Sequence, residues 1–384
     1  MKISDRIGHA RPLATTAIHG RAEEMKAKGV DVIDLSIAIS NYPAPPTVVE
    51  RTIAELRKAR LPYTEVVGAQ RVRNLLVKKL REENRIEART DEVIVTNGAK
   101  QAVYEALYVM TDPGDSIIVF KPHWPAYVAI SELLGLKPIL VDLPEQISTE
   151  TLATLPKAKV IVVNNPHNPM GKVFTKAELS AIKEWMIANN AYAICDESYE
   201  KLIFEGEHIS LASLGEWREP GIVTVFSASQ SYAMMGWRVG FAVAPAPVVE
   251  AMQTLQGPIT AAASAITQIA TEAAFSEGDP VAMMDDYRVR RDVVVDMFQG
   301  IPWMKMHKPA AGPYLWGDIS ALTMDTVSFV EGLLEEEKIA VMPGEALGVA
   351  GCIRVNFISD DVSTLRRAAA GIIRFGDNFA RDRK

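Results

Sequence analysis

Cysteine is nearly absent from this chain: Cys195 and Cys352 are the only two in 384 residues. So low a count excludes a disulfide framework or a cysteine-rich zinc site, and suits a reducing cytoplasm; no metal site is expected. Both thiols read as small buried hydrophobes. Long apolar runs are missing as well. No stretch reaches the roughly 18 apolar residues of a membrane span, so no membrane partner is expected. The opening Met1-Lys2-Ile3-Ser4-Asp5-Arg6 lacks the apolar centre of a signal peptide. Positive charge is not in excess: 41 Lys and Arg against 48 Asp and Glu give a net charge of −7. That balance favours solubility and disfavours a nucleic-acid partner. No internal repeat or low-complexity segment occurs.

What is present is an ordinary globular composition, 48% hydrophobic and 23% charged, on a chain long enough for a large core and two domains. The middle alternates strand-like and helix-like stretches. Val93-Ile94-Val95-Thr96 runs into Asn97-Gly98, and a helix is predicted from Ala99 to Met110. Further apolar runs follow at Ser116 to Phe120, Lys159 to Val163, Tyr192 to Cys195 and Ile222 to Phe226. They are continuous rather than alternating, as in strands buried on both faces. Helical segments such as Lys176 to Asn189 separate them. The pattern predicts an α/β domain with a mostly parallel sheet. From about Asp286 the chain changes to a long charged helix, the strand-like Tyr314-Leu315-Trp316, a helix through Glu335, the strand Cys352 to Phe357 and a final helix. That predicts a smaller α+β domain. The expected division is an N-terminal arm and part of the small domain over 1–46, a large domain over 47–285, and a small C-terminal domain over 286–384.

Ligands of open α/β sheets bind beyond the carboxyl ends of the strands, and several polar residues fall there. Gly98-Ala99-Lys100 opens a helix, where free backbone N–H groups suit a phosphate. Asn164 to Gly171 carries two Asn-Pro steps that hold the backbone turning; His167 reads as a turn residue. Asp196-Glu197-Ser198-Tyr199 ends another strand, and a carboxylate there suits a protonated ring nitrogen. Arg238 has the planar fork that suits phosphate. Taken singly, each of these is also a common turn, strand end or surface ion pair.

Order and spacing together carry more. Asn168, Asp196, Tyr199, position 230 and Arg238 follow one another as in the fold-type I, class I/II aminotransferases. Tyr63-Thr64-Glu65-Val66-Val67-Gly68, Pro122 to Tyr127, Pro309 to Gly312, Met342-Pro343-Gly344 and Ile353 to Phe357 resemble further segments of that family. The resemblance spans roughly residues 30 to 375. It implies the pyridoxal 5'-phosphate (PLP) cofactor, an amino acid and a 2-oxo acid as substrates, and a homodimer with shared sites. It implies that Gly98, Ala99, Lys100, Ser227 and Arg238 hold the phosphate, with Tyr63 reaching it in the neighbouring subunit. Trp124 would stack on the ring, Asp196 would pair with its nitrogen, and Asn168 and Tyr199 would bond its phenolic oxygen. Arg354 would bind the α-carboxylate, with Asn168 and Ala38 beside the substrate.

One position breaks the pattern. Eight residues before Arg238 the family has the Schiff-base lysine, and here Gln230 stands in that catalytic position. An amide has a delocalised lone pair and is neither an amine nucleophile nor a base near neutral pH. Ala38 and Ser40 stand where the family often has glycine and proline, and Met170 where threonine is frequent; these are expected to alter the pocket. Two readings follow. In one, an aminotransferase has had its lysine replaced, which traps it; the same site also suits elimination, replacement or cyclisation of an amino acid. In the other, the protein is naturally lysine-less and binds PLP or an amino acid. An aminotransferase-like transcription regulator is disfavoured, because the segment before Leu35 leaves little room for a DNA-binding domain.

Overall fold

The five apolar runs of the middle all become strands of one seven-stranded sheet. In the computed structural model, which describes residues 5–8, 14–278 and 281–381, the order across it is Val93–Thr96, Gly240–Val243, Ile222–Ser227, Tyr192–Asp196, Val160–Asn164, Ser116–Lys121 and Lys137–Asp142. Met1 to Ser4 of the opening segment lie outside the described residues. Gly240–Val243 pairs antiparallel with both its neighbours, and the remaining pairings are parallel.

Burial on both faces explains the unbroken apolar runs. Side chains alternate across a strand. Val93, Val95, Ile118, Ile161, Val163 and Ala193 enter one core, against Leu76 and Leu80 of the helix Gln70–Asn84 and Ile182 and Met186 of the helix Lys176–Asn189. Ile94, Ile117, Val119, Val160, Val162 and Ile194 enter the other, against Val103 and Leu107 of the helix Ala99–Met110. The helix Lys176–Asn189 begins as the sequence predicts. Thr175 and Glu178 form a reciprocal cap: the Thr175 N–H donates to Glu178 Oε2 at 2.9 Å, and the Glu178 N–H donates to Thr175 Oγ1 at 3.3 Å.

A second core lies apart from this sheet. An antiparallel sheet runs in the order Met342–Pro343, Cys352–Asn356, Tyr314–Asp318, Lys305–His307. It packs with the helices Val281–Phe298, Thr326–Glu337 and Val362–Arg381. The helix Val281–Phe298 is continuous across position 285. Residues 18–38 of the N-terminal part join this core, and Ile33–Asp34 pairs in parallel with Ile339–Ala340. Both cysteines are free and buried, and burial pushes the Cys352 thiol up to about 12. Among the described residues no helix is long and apolar enough to cross a membrane.

Candidate functional site

Three strand ends, at Asn164, Asp196 and Ser227, and two helix starts, at Ala99 and Trp124, converge on a cavity of about 530 Å³, the size of a small-molecule site. Ala99, Lys100, Trp124, Asn168, Asp196 and Tyr199 all line it. So do Ser227, Gln230, Arg238, Arg354 and Ala38. The charged groups on its walls are three cations, Lys100, Arg238 and Arg354, against one carboxylate, Asp196. A cavity with that excess inside a chain of net charge −7 is built for an anionic ligand.

The anion end is made by backbone geometry. Gly98 precedes the helix Ala99–Met110 with φ +88°, and no side chain caps that helix, so its first amides are left for a ligand. A Cβ on Gly98 would stand 2.5 Å from Arg238 Nη2, so only glycine lets the guanidinium lie against the turn. Arg238 itself takes a left-handed conformation, φ +55°, after the short turn Met235–Trp237, and its Nη1 donates to Met235 O at 2.7 Å. Gly240 serves the same approach from the other side, since a Cβ there would meet the Ala99 nitrogen at 2.5 Å. At the end of the strand Ile222–Ser227, Ser227 Oγ accepts from the Ser229 N–H at 3.0 Å.

Asp196 is buried. Its Oδ2 accepts from Tyr127 Oη at 2.6 Å, and its Oδ1 from the Ser198 hydroxyl at 2.6 Å and the Ser198 amide at 3.1 Å. No cation among the described residues pairs with it, and burial raises its proton affinity while these bonds oppose the rise. A buried carboxylate held this way is completed by a positively charged donor. Tyr127 was not singled out from the sequence, although it stands three residues after Trp124. The two rings meet edge to face at 5.2 Å.

Another part of the cavity wall centres on Arg354, which is 2% exposed. Its Nη2 donates to Ser36 O at 2.7 Å and its Nη1 to Asn168 Oδ1 at 3.3 Å, and its guanidinium lies 3.9 Å from the Tyr314 ring centroid. Its Nε is buried without a partner. Asn168 in turn reaches Tyr199 Oη at 3.4 Å, and its own amide is held by Asn164 Oδ1 at 2.7 Å. Tyr314 and Ile37, which the meeting of the two cores brings there, and Ser229 and Met235, from the same segment as Gln230, also line the cavity and were not singled out in the sequence.

Gln230 spans the same two regions. Its Nε2 donates to Ala38 O at 3.1 Å. A carbonyl only accepts, which fixes the amide's orientation and leaves Oε1 buried without a donor. Ser40 and Met170 do not line the cavity. Ser40 Oγ meets Tyr287 Oη at 2.5 Å, and Met170 packs against the cluster of Trp316, Met342, Leu347 and Cys352. His167 is buried in its turn, and burial lowers its pKa to about 3. Tyr63 stands outside the cavity and is 95% exposed, beside a surface groove of about 280 Å³ that Leu61 and Ile266 also line.

Comparison with known proteins agrees in sequence and in shape. The family model described as aminotransferase class I and II matches residues 30–372. The chain is 32% identical to an aspartate aminotransferase of Geobacillus stearothermophilus, over 98% of this chain and 99% of that protein. It is also 32% identical to an aspartate/prephenate aminotransferase of Thermus thermophilus, covering 95% and 96%. Among solved structures, aspartate aminotransferase from Thermus thermophilus with maleate superposes with a TM-score of 0.92 at 30% identity, covering 98% of this chain and 100% of that one. Aspartate aminotransferase from Thermotoga maritima gives 0.91 at 31%, with the same coverage.

Proposed function

The chain belongs to the class I and II aminotransferase family, and from that premise we propose that it binds PLP and an amino acid in this cavity without transaminating at the family's rate, because Gln230 holds the lysine's place. The observation that carries the first half is Asp196, a buried carboxylate bonded only by neutral donors and facing the cavity. A protonated ring nitrogen is the group it lacks. The cradle at Gly98 and the uncapped helix start fit a phosphate, and the indole of Trp124 offers a flat wall to a ring. The residues present fit PLP, which when bound supplies a reactive carbonyl and an electron-withdrawing ring.

Within that reading the chain's own groups divide the work. The amides of Ala99 and Lys100, with Ser227 and Arg238, hold the phosphate. Asp196 keeps the ring nitrogen protonated, and Tyr127 and Ser198 hold Asp196 in place. Asn168 and Tyr199 bond the phenolic oxygen. Arg354 binds the α-carboxylate of the amino acid, and its unpartnered Nε is a free donor for it. Gln230 has no basic site to take a proton and no amine to offer. It ties Ala38 to the large sheet instead. The relatives' names make an acidic amino acid the first substrate to try.

Tyr63 supports a homodimer. It does not line its own cavity, and with Leu61 and Ile266 it borders an apolar groove that a second copy would cover. The two free, buried thiols suit the cytoplasm. A naturally lysine-less binding protein remains the second reading, favoured by Gln230's own bond to Ala38.

The test is the visible spectrum of the Gln230→Lys variant with PLP, before and after a panel of amino acids. Conversion of the cofactor to its amine form supports an aminotransferase lacking its lysine. Formation of elimination products instead assigns a lyase or cyclase. A variant that leaves the spectrum of free PLP unchanged contradicts the reading.

A further inference from the structure

One stretch of chain, Ser36-Ile37-Ala38-Ile39, links Arg354 to Gln230. Ser36 O accepts from Arg354 Nη2 at 2.7 Å, and Ala38 O accepts from Gln230 Nε2 at 3.1 Å. The two isoleucines are pinned by their own backbone groups. Ile37 O accepts from Asn356 Nδ2 at 2.7 Å, and the Ile39 N–H donates to Ser359 Oγ at 3.2 Å. Both isoleucines line the cavity. Ile37 packs against the buried cluster of Trp316, Met342 and Leu347, whereas Ile39 is 47% exposed. A fixed backbone that keeps a large apolar side chain half in water at a cavity wall leaves apolar surface for a ligand to cover.

The charged groups of the same cavity are already engaged in the cofactor reading. Arg238 and the helix start at Lys100 face the phosphate, and the Lys100 Nζ lies 5.3 Å from the centroid of the Trp124 ring. Arg354 takes the α-carboxylate, and Asp196 takes the ring nitrogen. Among the described residues that line the cavity, no cation is left for a second carboxylate and no carboxylate for a second amine. A charged substrate side chain set against isoleucine would lose water without gaining a partner, while an apolar one gains by the contact.

We propose that this site selects amino acids with an uncharged, apolar side chain, and that Ile39, backed by Ile37, selects them. The proposal rests on the cofactor reading above. An amino acid with its α-carboxylate on Arg354 and its α-carbon toward position 230 lies along the stretch from Ser36 to Ile39. Its side chain then meets the two isoleucines. The class differs from the acidic one in the relatives' names.

The experiment is calorimetric titration of the intact protein with reduced conjugates of PLP and L-leucine, L-phenylalanine, L-aspartate or glycine. These stable secondary amines share the ring, the phosphate and the α-carboxylate, and differ only in the side chain. The leucine and phenylalanine conjugates are expected to bind at least about tenfold tighter than the glycine conjugate, and the aspartate conjugate no tighter than glycine's. In Ile39→Lys the aspartate conjugate should gain on the leucine conjugate by about tenfold or more. The readout is a ratio within one protein, so poor folding, which weakens all the conjugates together, does not imitate it. If the conjugates bind but aspartate's matches leucine's, leucine's is no tighter than glycine's, or Ile39→Lys leaves the ratio unmoved, the inference falls alone. If none of them binds, the cofactor reading falls and takes the inference with it.

Discussion

Two walls of one cavity differ in what they retain. The wall built from the strand and helix ends carries the groups that the proposed function assigns to an anionic ring ligand: the glycine turn at 98, Asp196 and Arg238. The wall made by Gln230 and the segment around Ala38 keeps shape but not reactivity, and its central side chain is spent on a backbone bond between the two cores. On the proposed function, binding and proton transfer are carried by separate residues, and one can be lost while the other stands. Electrostatic complementarity comes from many groups fixed by the fold, whereas proton movement depends on a single group of suitable pKa.

Substitutions on the two walls sharpen that contrast. The largest effect is expected at position 230. Gln230→Lys should raise the rate at which an amino acid converts PLP to its amine form by about a thousandfold or more, while Gln230→Ala leaves that rate unchanged. Stopped-flow absorbance measures both, and equal rates in all three proteins would erase the distinction between the walls. Next comes Arg354→Met, which removes a buried guanidinium from the cavity wall. The Gln230→Lys, Arg354→Met double variant should lose amino-acid affinity by roughly a hundredfold relative to Gln230→Lys, with PLP affinity little changed. Gly98→Ala acts on the first wall. Its φ of +88° and the 2.5 Å approach to Arg238 predict about a tenfold loss of PLP affinity in an otherwise folded protein.

The smallest effect lies away from both walls, on the helix that begins the anion site. Glu105 is 1% exposed, its Oε1 accepts from Gln101 at 2.7 Å, and its Oε2 has no partner. Burial raises its pKa from 4.5 to about 7. The folded state therefore holds an extra proton between those values. The stability this gives is fully present below pH 4.5 and is lost as pH rises through about 7. Glu105→Gln should stabilise the protein by about 1–2 kcal/mol at pH 8 and leave it nearly unchanged near pH 4. Urea unfolding at the two pH values checks this, and equal shifts at both would place the cause elsewhere.

The strands were readable because burial on both faces leaves an unbroken apolar signature, as Val93–Thr96 and Ile222–Ser227 show. The edge strand Lys137–Asp142 escaped notice because most of its positions are partly exposed and its pattern is mixed. Asp196 and Arg238 were legible from order and spacing, since each follows directly from a strand end or turn. Tyr127, Tyr314 and the Gln230–Ala38 bond were not. Tyr127 meets a residue 69 positions away and Gln230 one 192 positions away, and no local pattern encodes such pairs. Tyr63 was named from the sequence, but its full exposure is visible only in the folded chain.

The central claim is that the first wall binds the cofactor without help from position 230. The direct measurement is calorimetric titration of the unmodified protein and of Asp196→Ala with pyridoxamine phosphate, which has no carbonyl and so reports binding alone. The account predicts saturable binding at one site per chain, weakened by about a hundredfold or more in Asp196→Ala. No saturable binding, or equal binding by both proteins, would contradict it.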